Sequence, residues 1–285
     1  MGASLTLVLA GCVSPAATPP APEFLLLGEV HDNAAHHQLR AERLASLLAD
    51  GQRTTVVFEQ LPTARDADLA AQQQRAPADV EALIDAGQWD RRAWRWPLHQ
   101  PVVTAAVTGG AAVRGGNLAR EEVRRLMREG DAAWPPALLA LSMRTPWADA
   151  QQRAALKAID DGHCGALPAA MHEPMVQAQR ARDASLAQAM LAARAAGATR
   201  VVLIAGNGHV DRELGVPRYL EAAGVAPARI HAVGYVEAGQ GGAGRFDERV
   251  ETPGRPTRGP LPILEALIHA SRSQANENHP HLKLH

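Results

Sequence analysis

Residues 24–31 read FLLLGEVH, residues 54–59 read TTVVFE, and residues 201–209 read VVLIAGNGH. Each stretch is an apolar run that ends in a carboxylate or an imidazole, which is typical of a strand buried on both faces and opening onto a polar loop. A helix-like segment over residues 34–49 separates the first two runs, and Gly51 supplies a helix stop. Strand, helix and strand in this order predict a βαβ unit with parallel strands.

The rest of the chain continues this alternation. Further strands are predicted near residues 111–114 and over 230–236, with helices over 120–129, 174–196 and 218–223. The pattern predicts the α/β class: an open, mainly parallel sheet flanked by helices. All five tryptophans lie between Trp89 and Trp147, in sequence that is mostly helix-like. This concentration favours a smaller helical subdomain with its own core, inserted roughly within residues 62–175.

Four polar residues at the ends of the predicted strands form the candidate site: Glu29, His31, Glu59 and His209. In open α/β sheets, ligands bind at the carboxyl ends of the strands, so we expect these side chains to meet at one edge. His36 and His37 follow one turn later, and we expect them to lie exposed on the helix surface, with one of them bordering the site as the alternative.

The residue types of this cluster leave two kinds of chemistry open. His31, Glu59 and His209 could hold a divalent transition metal with one open position that activates water. Without a metal, either histidine could serve as a general base oriented by a carboxylate. No nucleophile elbow, P-loop or dinucleotide fingerprint occurs, which argues against acyl-serine, nucleotide and hydride chemistry.

The net charge and the cysteines limit which partners and which cellular compartment the sequence favours. The formal net charge of the 285 residues is −1, and this balance argues against a nucleic-acid-binding surface. Residues 1–12 read MGASLTLVLAGC, an apolar run that ends in the LAGC of a lipobox, so Cys12 is predicted to be lipidated after cleavage. No Lys or Arg precedes Arg40, which leaves a plain apolar leader as the alternative. Cys164 is the only other cysteine.

Five stretches carry a resemblance to a known family: LLLGEVHDNAAHH at 25–37, VVFEQ at 56–60, GHCGALP at 162–168, AQRARD at 178–183 and IAGNGHVDRELGVPRYL at 204–220. With them the chain resembles the ChaN-type haem-binding lipoproteins, in the grouping that also includes erythromycin esterases and Tiki/TraB-type proteases. The resemblance implies a lipoprotein signal over 1–12, a tether over 13–22, a haem-binding domain over 23–240 and a Gly/Pro-rich segment and tail over 241–285.

The resemblance also implies haem as the cofactor, held between two monomers with tyrosine as the iron ligand. Tyr219 and Tyr235 are the only tyrosines, and Tyr219, beside Arg218 in GVPRYL, is the first choice. The resemblance also implies a histidine and a lysine near the propionates. Because Lys157 and Lys283 are the only lysines, an arginine such as Arg218 is expected to replace the lysine there. The chain is thus expected to be a haem carrier in iron acquisition, homodimeric and lipid-anchored to the outer membrane on its periplasmic side.

The wider grouping implies a second function. In its esterases and proteases the matching motifs form the catalytic or metal site, and the matching positions here are Glu29, His31, Glu59 and His209. The alternative is therefore a metal-dependent or His/Glu-dependent hydrolase, an esterase or a peptidase. The expectation that the chain is a carrier rather than an enzyme depends on the lipobox and on the length of the ChaN-like match.

Overall fold

A computed structural model describes residues 22–163, 165–239 and 244–254 of the chain. Six strands form one sheet, and every neighbouring pair in it is parallel. The strands are β1 (Phe24–Leu27), β2 (Thr54–Pro62), β3 (Ala112–Asn117), β4 (Arg200–Ile204), β5 (Ile230–Glu237) and β6 (Glu248–Thr252). Their order across the sheet is β3-β2-β4-β1-β5-β6. The three strands predicted to carry the site are therefore direct neighbours at its centre.

Ten α-helices occur in the described part of the chain, beside four short 3-10 turns. They are α1 (Ala34–Leu48), α2 (Asp66–Arg75), α3 (Val80–Ala86), α4 (Gln100–Thr108), α5 (Arg120–Glu129), α6 (Pro136–Met143), α7 (Asp149–Gly162), α8 (His172–Ala195), the single turn α9 (Asn207–Val210) and α10 (Val216–Ala222). The predicted α/β class with a parallel sheet and flanking helices is confirmed. None of the helices in the described part of the chain combines the length and the apolar content that a membrane crossing needs.

Two hydrophobic cores cover the two faces of the sheet. Alternate strand residues point to opposite faces, so Leu26 packs in one core and Leu27 in the other. The first core takes side chains from α5, α6, α8 and α10, and the second takes them from α1, α2, α3 and α4. Because both faces are covered, the central strands are almost purely apolar, as their sequence predicts.

The stretch predicted as a helical subdomain lies across this sheet. Residues 62–175 contain α2 to α7 together with β3, an edge strand that pairs with β2. The helices of this stretch lie on both faces of the sheet, and two of its tryptophans lie on different faces. Trp89 is buried in the second core and Trp134 in the first. Trp94 and Trp96 pack against the second core with Trp89, so the tryptophans of this stretch do not form one separate core of their own.

The carboxyl-terminal boundary of the domain needs a correction. The sequence analysis placed the end of the domain at residue 240, but β6 pairs in parallel with β5 from Val233 to Glu237 and completes the sheet. Glu248 to Thr252 escaped prediction because an edge strand alternates buried and exposed residues and here carries charges. Cys12, Cys164, residues 13–21 of the predicted tether and the tail from residue 255 lie outside the described residues.

Candidate functional site

The structure brings Glu29, His31, Glu59 and His209 to one edge of the sheet. Because β2, β4 and β1 are adjacent and parallel, the loops that follow them leave the sheet side by side. The backbone N–H of Gly206 donates to Glu59 Oε2 at 2.8 Å, which ties the loop after β4 to the end of β2. The N–H of Asn207 donates to the carbonyl oxygen of Glu29 at 2.9 Å, which ties the same loop to the end of β1.

Glu29 is fully buried at the centre of a polar cluster. Its Oε1 lies 2.8 Å from His31 Nδ1 and 3.3 Å from His99 Nε2, and its Oε2 contacts the Arg40 guanidinium and lies 2.9 Å from His37 Nδ1. Burial would raise the pKa of this carboxyl, but Arg40 and the histidine hydrogen bonds outweigh it and hold the pKa well below its usual range. Glu29 is therefore an anion with a fixed cation partner.

Three members of this cluster, His37, His99 and Arg40, were not placed at the site by the prediction from sequence. His36 and His37, expected on the helix surface, are both fully buried. His37 Nε2 donates to the carbonyl oxygen of His31 at 3.0 Å, which fixes the turn that carries His31. Arg40 lies one turn further along α1, and its NH2 group is 2.8 Å from His37 Nδ1. The i, i+3 spacing of His37 and Arg40 was the available signal that they share a face.

The other polar group at this edge is a row of three buried ionisable side chains, Glu59, His209 and Asp183. His209 Nε2 lies 3.2 Å from Glu59 Oε1, and His209 Nδ1 lies 2.6 Å from Asp183 Oδ1 on α8. Burial would lower the pKa of His209, but the two carboxylates raise it to about 10. Burial raises the pKa of Asp183 to about 6, with His209 opposing it. His209 is therefore an imidazolium held between two carboxylates at neutral pH.

His31 is the accessible group of the edge. About 32% of its side chain is exposed, its Nδ1 is engaged by Glu29, and its ring meets the edge of the Trp94 ring at 5.0 Å between centroids. Burial would lower the pKa of His31, but the carboxylates of Glu59 and Glu29 raise it. The Glu29–His31 pair thus leaves Nε2 as the nitrogen that can accept or donate a proton toward a ligand.

A metal site is not preformed at this edge. Among the described residues, the one group with three ligand atoms within 4.8 Å of each other is Glu29, His37 and His99, and the Arg40 guanidinium already lies against it. The ligand atoms of the predicted set, His31, Glu59 and His209, do not all lie within 4.8 Å of one another. Both nitrogens of His209 are engaged by carboxylates, so the imidazolium takes the place that a metal cation would have. The predicted metal set is wrong for this arrangement of side chains.

The two tyrosines predicted for haem lie in the hydrophobic cores and not in the polar cluster. Tyr219 is fully buried in the first core and Tyr235 in the second, so the two tyrosines are on opposite faces of the sheet. Tyr219 lies against Ser142 and Arg180, and its hydroxyl has no hydrogen bond of good geometry. Burial raises its pKa to about 12, with Arg180 opposing. Arg218 NH1 and NH2 donate to the carbonyl oxygens of Glu213 and Pro146 at 3.0 Å.

A pocket of about 220 Å³ opens beside Tyr219, between α6 and α8. Met143 at its rim is 74% exposed, the highest value for a large apolar side chain in the described part of the chain. Its lining is Asp131, Trp134, Leu139, Ser142, Met143, Pro146, Gln177 and Arg180. Ten buried side-chain nitrogen or oxygen atoms of the described residues lack a hydrogen-bond partner, and five of these belong to this pocket and its immediate neighbours, namely Trp134 Nε1, Trp147 Nε1, Arg180 Nε, Arg218 Nε and the Tyr219 hydroxyl.

Comparison with known proteins gives one informative family and one informative structure. The model of a family described as haem-binding uptake, Tiki superfamily, ChaN matches residues 20–220. ChaN of Campylobacter jejuni, whose solved structure is described as binding haem cofacially, is 17% identical with a TM-score of 0.63, over 75% of this chain and 82% of that one. At that identity the likeness supports the fold. No curated protein sequence matches the chain.

Two further solved structures match the chain at lower similarity. The type III effector HopBA1 is 13% identical with a TM-score of 0.43, over 82% of this chain and 88% of that one. A mutant of the erythromycin esterase EreC is 13% identical with a TM-score of 0.44, over 91% of this chain and 80% of that one. These scores are too low to carry an argument about function.

Proposed function

Because this chain belongs to the haem-binding uptake family of ChaN, within the Tiki superfamily, we propose that it is a haem carrier that takes part in haem or iron acquisition. The match to the family over residues 20–220 is the observation that carries this proposal. The matched residues include β1 to β4, the polar cluster at the strand edge and the pocket beside Tyr219.

The pocket between α6 and α8 is where we place the haem. The buried Tyr219 hydroxyl has an unused hydrogen-bonding position, and the apolar walls include Trp134 and Met143. When bound, haem would supply a ferric iron that accepts an oxygen ligand. The residues present fit this group, since a phenol and a guanidinium are the donors that suit ferric iron and propionate.

Arg180 has two functions in this proposal. Its positive charge lowers the pKa of Tyr219 and so favours the phenolate against burial. Its guanidinium also stacks over Trp147 at 4.8 Å and donates to Ser142 Oγ at 3.0 Å, which leaves Nε without a partner beside the pocket. Because Tyr219 is fully buried, the carboxyl end of α6 has to shift before the hydroxyl can reach a ligand.

A haemin titration tests the proposal. The wild-type protein should give a saturable Soret band of tyrosinate type, and Tyr219→Phe should abolish it. Tyr235→Phe is the matched control, because Tyr235 is buried in the opposite core and should leave the band unchanged. Retention of the band in Tyr219→Phe would refute the ligand assignment, and a lack of saturable haemin binding by the wild type would refute the carrier function.

The placement of the protein in the cell is part of the same proposal. We place it on the periplasmic side of the outer membrane, anchored through lipidated Cys12 of the LAGC sequence, and as a homodimer when haem is bound. Incorporation of labelled palmitate by the wild type and its loss in Cys12→Ser would support the anchor. A molar mass by light scattering that stays monomeric with haemin would contradict the dimer.

The Glu29–His31 pair supports a second candidate function, that of a hydrolase. Its geometry is that of a general base oriented by a buried carboxylate, with the accessible nitrogen at the edge of the sheet. Turnover of small esters or peptides that is lost in His31→Asn and unchanged in Tyr219→Phe would support this function. Lack of turnover by the wild type over a broad set of these substrates would count against it.

A further inference from the structure

The two edge strands of the sheet are treated differently by the rest of the chain. At β3, the Gln73 amide takes the place of a further strand, because it donates to the carbonyl oxygen of Ala111 and accepts from the N–H of Val113. Asp66 Oδ1 accepts from the N–H of Gly115 at the same edge. At the opposite edge, β6 pairs with β5, and the sheet of the described residues ends there. An edge strand is a template to which the strand of another chain can pair.

The backbone of β6 directs alternate residues toward β5. The carbonyl oxygen of Thr252 accepts from the N–H of Ala238 on the β5 side at 2.8 Å. Because successive residues of a strand point their backbone groups to opposite sides, Val250 also points its groups to β5. Arg249 and Glu251 therefore point theirs to the outer edge. A strand that is added to the sheet here would bond to the backbone of these two residues.

The side chains of β6 also alternate. Glu248 contacts Arg43 of α1, and Val250 packs against the second core, so both face the side of the sheet that α1 covers. Arg249 and Glu251 lie on the other face, where both are exposed and their side chains meet at 3.3 Å. The two residues with outward-directed backbone thus carry opposite charges, one on each side of Val250.

This order of charges is complementary to itself in an antiparallel pair. When two copies of β6 cross at Val250, Arg249 of each copy lies opposite Glu251 of the other. Both residues of such a pair direct their backbone at the partner strand, so they can exchange two N–H···O=C bonds. A shift of the register by one residue puts outward-directed groups opposite inward-directed ones. A shift that centres the pair on Arg249 or on Glu251 puts like charges opposite each other, which is destabilising.

We propose that β6 is a pairing edge for a second copy of this chain, in an antiparallel contact centred on Val250 that continues the sheet across both copies. Such a contact has two-fold symmetry, since the same patch is used on each side. It needs no haem, and none of the residues that line the pocket beside Tyr219 belongs to β6. The contact joins two short strands, so the interface is small, and we expect a Kd of about 100 µM.

Sedimentation equilibrium of the haem-free protein from about 20 to 500 µM, a range that spans the expected Kd, tests this contact. Arg249→Glu and Glu251→Arg each put like charges opposite one another twice, so each should weaken the association by about tenfold or more. The double variant Arg249→Glu/Glu251→Arg restores opposite signs and should associate like the wild type. An equimolar mixture of the two single variants should also associate, because each then meets its complement.

Arg124→Glu and Glu121→Arg are the matched controls, because they make the same charge changes at exposed positions of α5 and should associate like the wild type. A wild type that stays monomeric over the whole range overturns the proposal. Single variants that associate as the wild type does, or a double variant that fails to recover, overturn the assigned register and with it the proposal.

A second measurement needs no variant and covers the case in which a substitution impairs folding. In the wild type, hydrogen exchange at the amides of Arg249 and Glu251 should slow as the protein concentration rises through the Kd, whereas the amide of Val250, already directed at β5, should change less. Exchange at Arg249 and Glu251 that is independent of concentration overturns the proposal. Because haem is absent from both experiments, failure here leaves the haem proposal untouched.

Discussion

Replacement of Arg40 by methionine should destabilise the protein strongly. Arg40 and Glu29 are both fully buried, and the guanidinium contacts Glu29 Oε2 while NH1 donates to the carbonyl oxygen of Leu27 at 3.3 Å. Methionine fills much of the same volume but leaves the carboxylate without its cation. Removal of one partner from a buried ion pair costs about 3 to 5 kcal/mol. For a domain of this size, that loss corresponds to a fall in melting temperature of about 10 °C.

Arg43→Met is the matched control for this prediction. Arg43 lies one turn further along α1 and pairs with Glu248, but its side chain is 29% and that of Glu248 38% exposed. Exposed ion pairs contribute about 0 to 1 kcal/mol to the free energy of unfolding, so Arg43→Met should melt within about 3 °C of the wild type. Thermal melting followed by circular dichroism measures both variants. Equal melting temperatures would refute the idea that Arg40 is the obligatory counter-ion of Glu29.

The pH dependence gives the same prediction a second test. The pKa of Glu29 is held well below its usual range in the folded protein, with Arg40 as the largest stabilising influence. A depressed carboxyl pKa contributes stability that is present above the unfolded pKa and is lost as the pH falls through the folded value. Burial raises the pKa of Glu29 once Arg40 is removed, so the gap between the wild type and Arg40→Met should be widest at high pH and shrink as the pH falls and the variant's Glu29 takes up a proton. The double variant Arg40→Met/Glu29→Gln should recover part of the loss, because the buried charge is then removed.

Three further predictions follow from other contacts. The pKa of His209 is raised to about 10, so the unfolding free energy of the wild type should fall by about 4 kcal/mol from pH 6.5 to 10 in urea titrations, and the fall should be much smaller in His209→Gln. Gly206→Ala puts a methyl group 2.8 Å from His31 Cε1 and should lower the melting temperature, whereas Gly208→Ala meets only an ordinary contact at 3.7 Å and should not. Tyr219→Phe removes a buried hydroxyl without a partner and should melt within about 3 °C of the wild type, which keeps it usable in the haemin titration.

The sheet and the placement of the site were predictable because they depend on local signals. Runs such as 24–27 and 201–204 are apolar enough to require cover on both faces, and a parallel sheet with flanking helices supplies that cover. Polar residues directly after such runs lie at the carboxyl edge of the sheet. Glu29, Glu59 and His209 could therefore be placed together without any knowledge of their contacts.

The partners of these residues could not be predicted because they depend on how the helices pack. Asp183 is 26 residues from His209 in sequence, and nothing local indicates that α8 presents it to the end of β4. Arg40 follows Glu29 by 11 residues, and its burial depends on the position of α1 over the sheet. The metal prediction failed for the same reason. A histidine at a strand end is a good ligand only while its nitrogens are free, and tertiary packing engaged both nitrogens of His209.

Helix α8 contributes side chains both to the strand edge and to the pocket beside Tyr219. Gln179 and Asp183 are four residues apart, and the structure places both against His209. Arg180 instead lines the pocket beside Tyr219 and donates to Ser142 Oγ at 3.0 Å. The helix is packed into the first core along most of its length. Because the contacts of His209 do not include Arg180, a change at Arg180 should affect haem binding and leave those contacts unchanged.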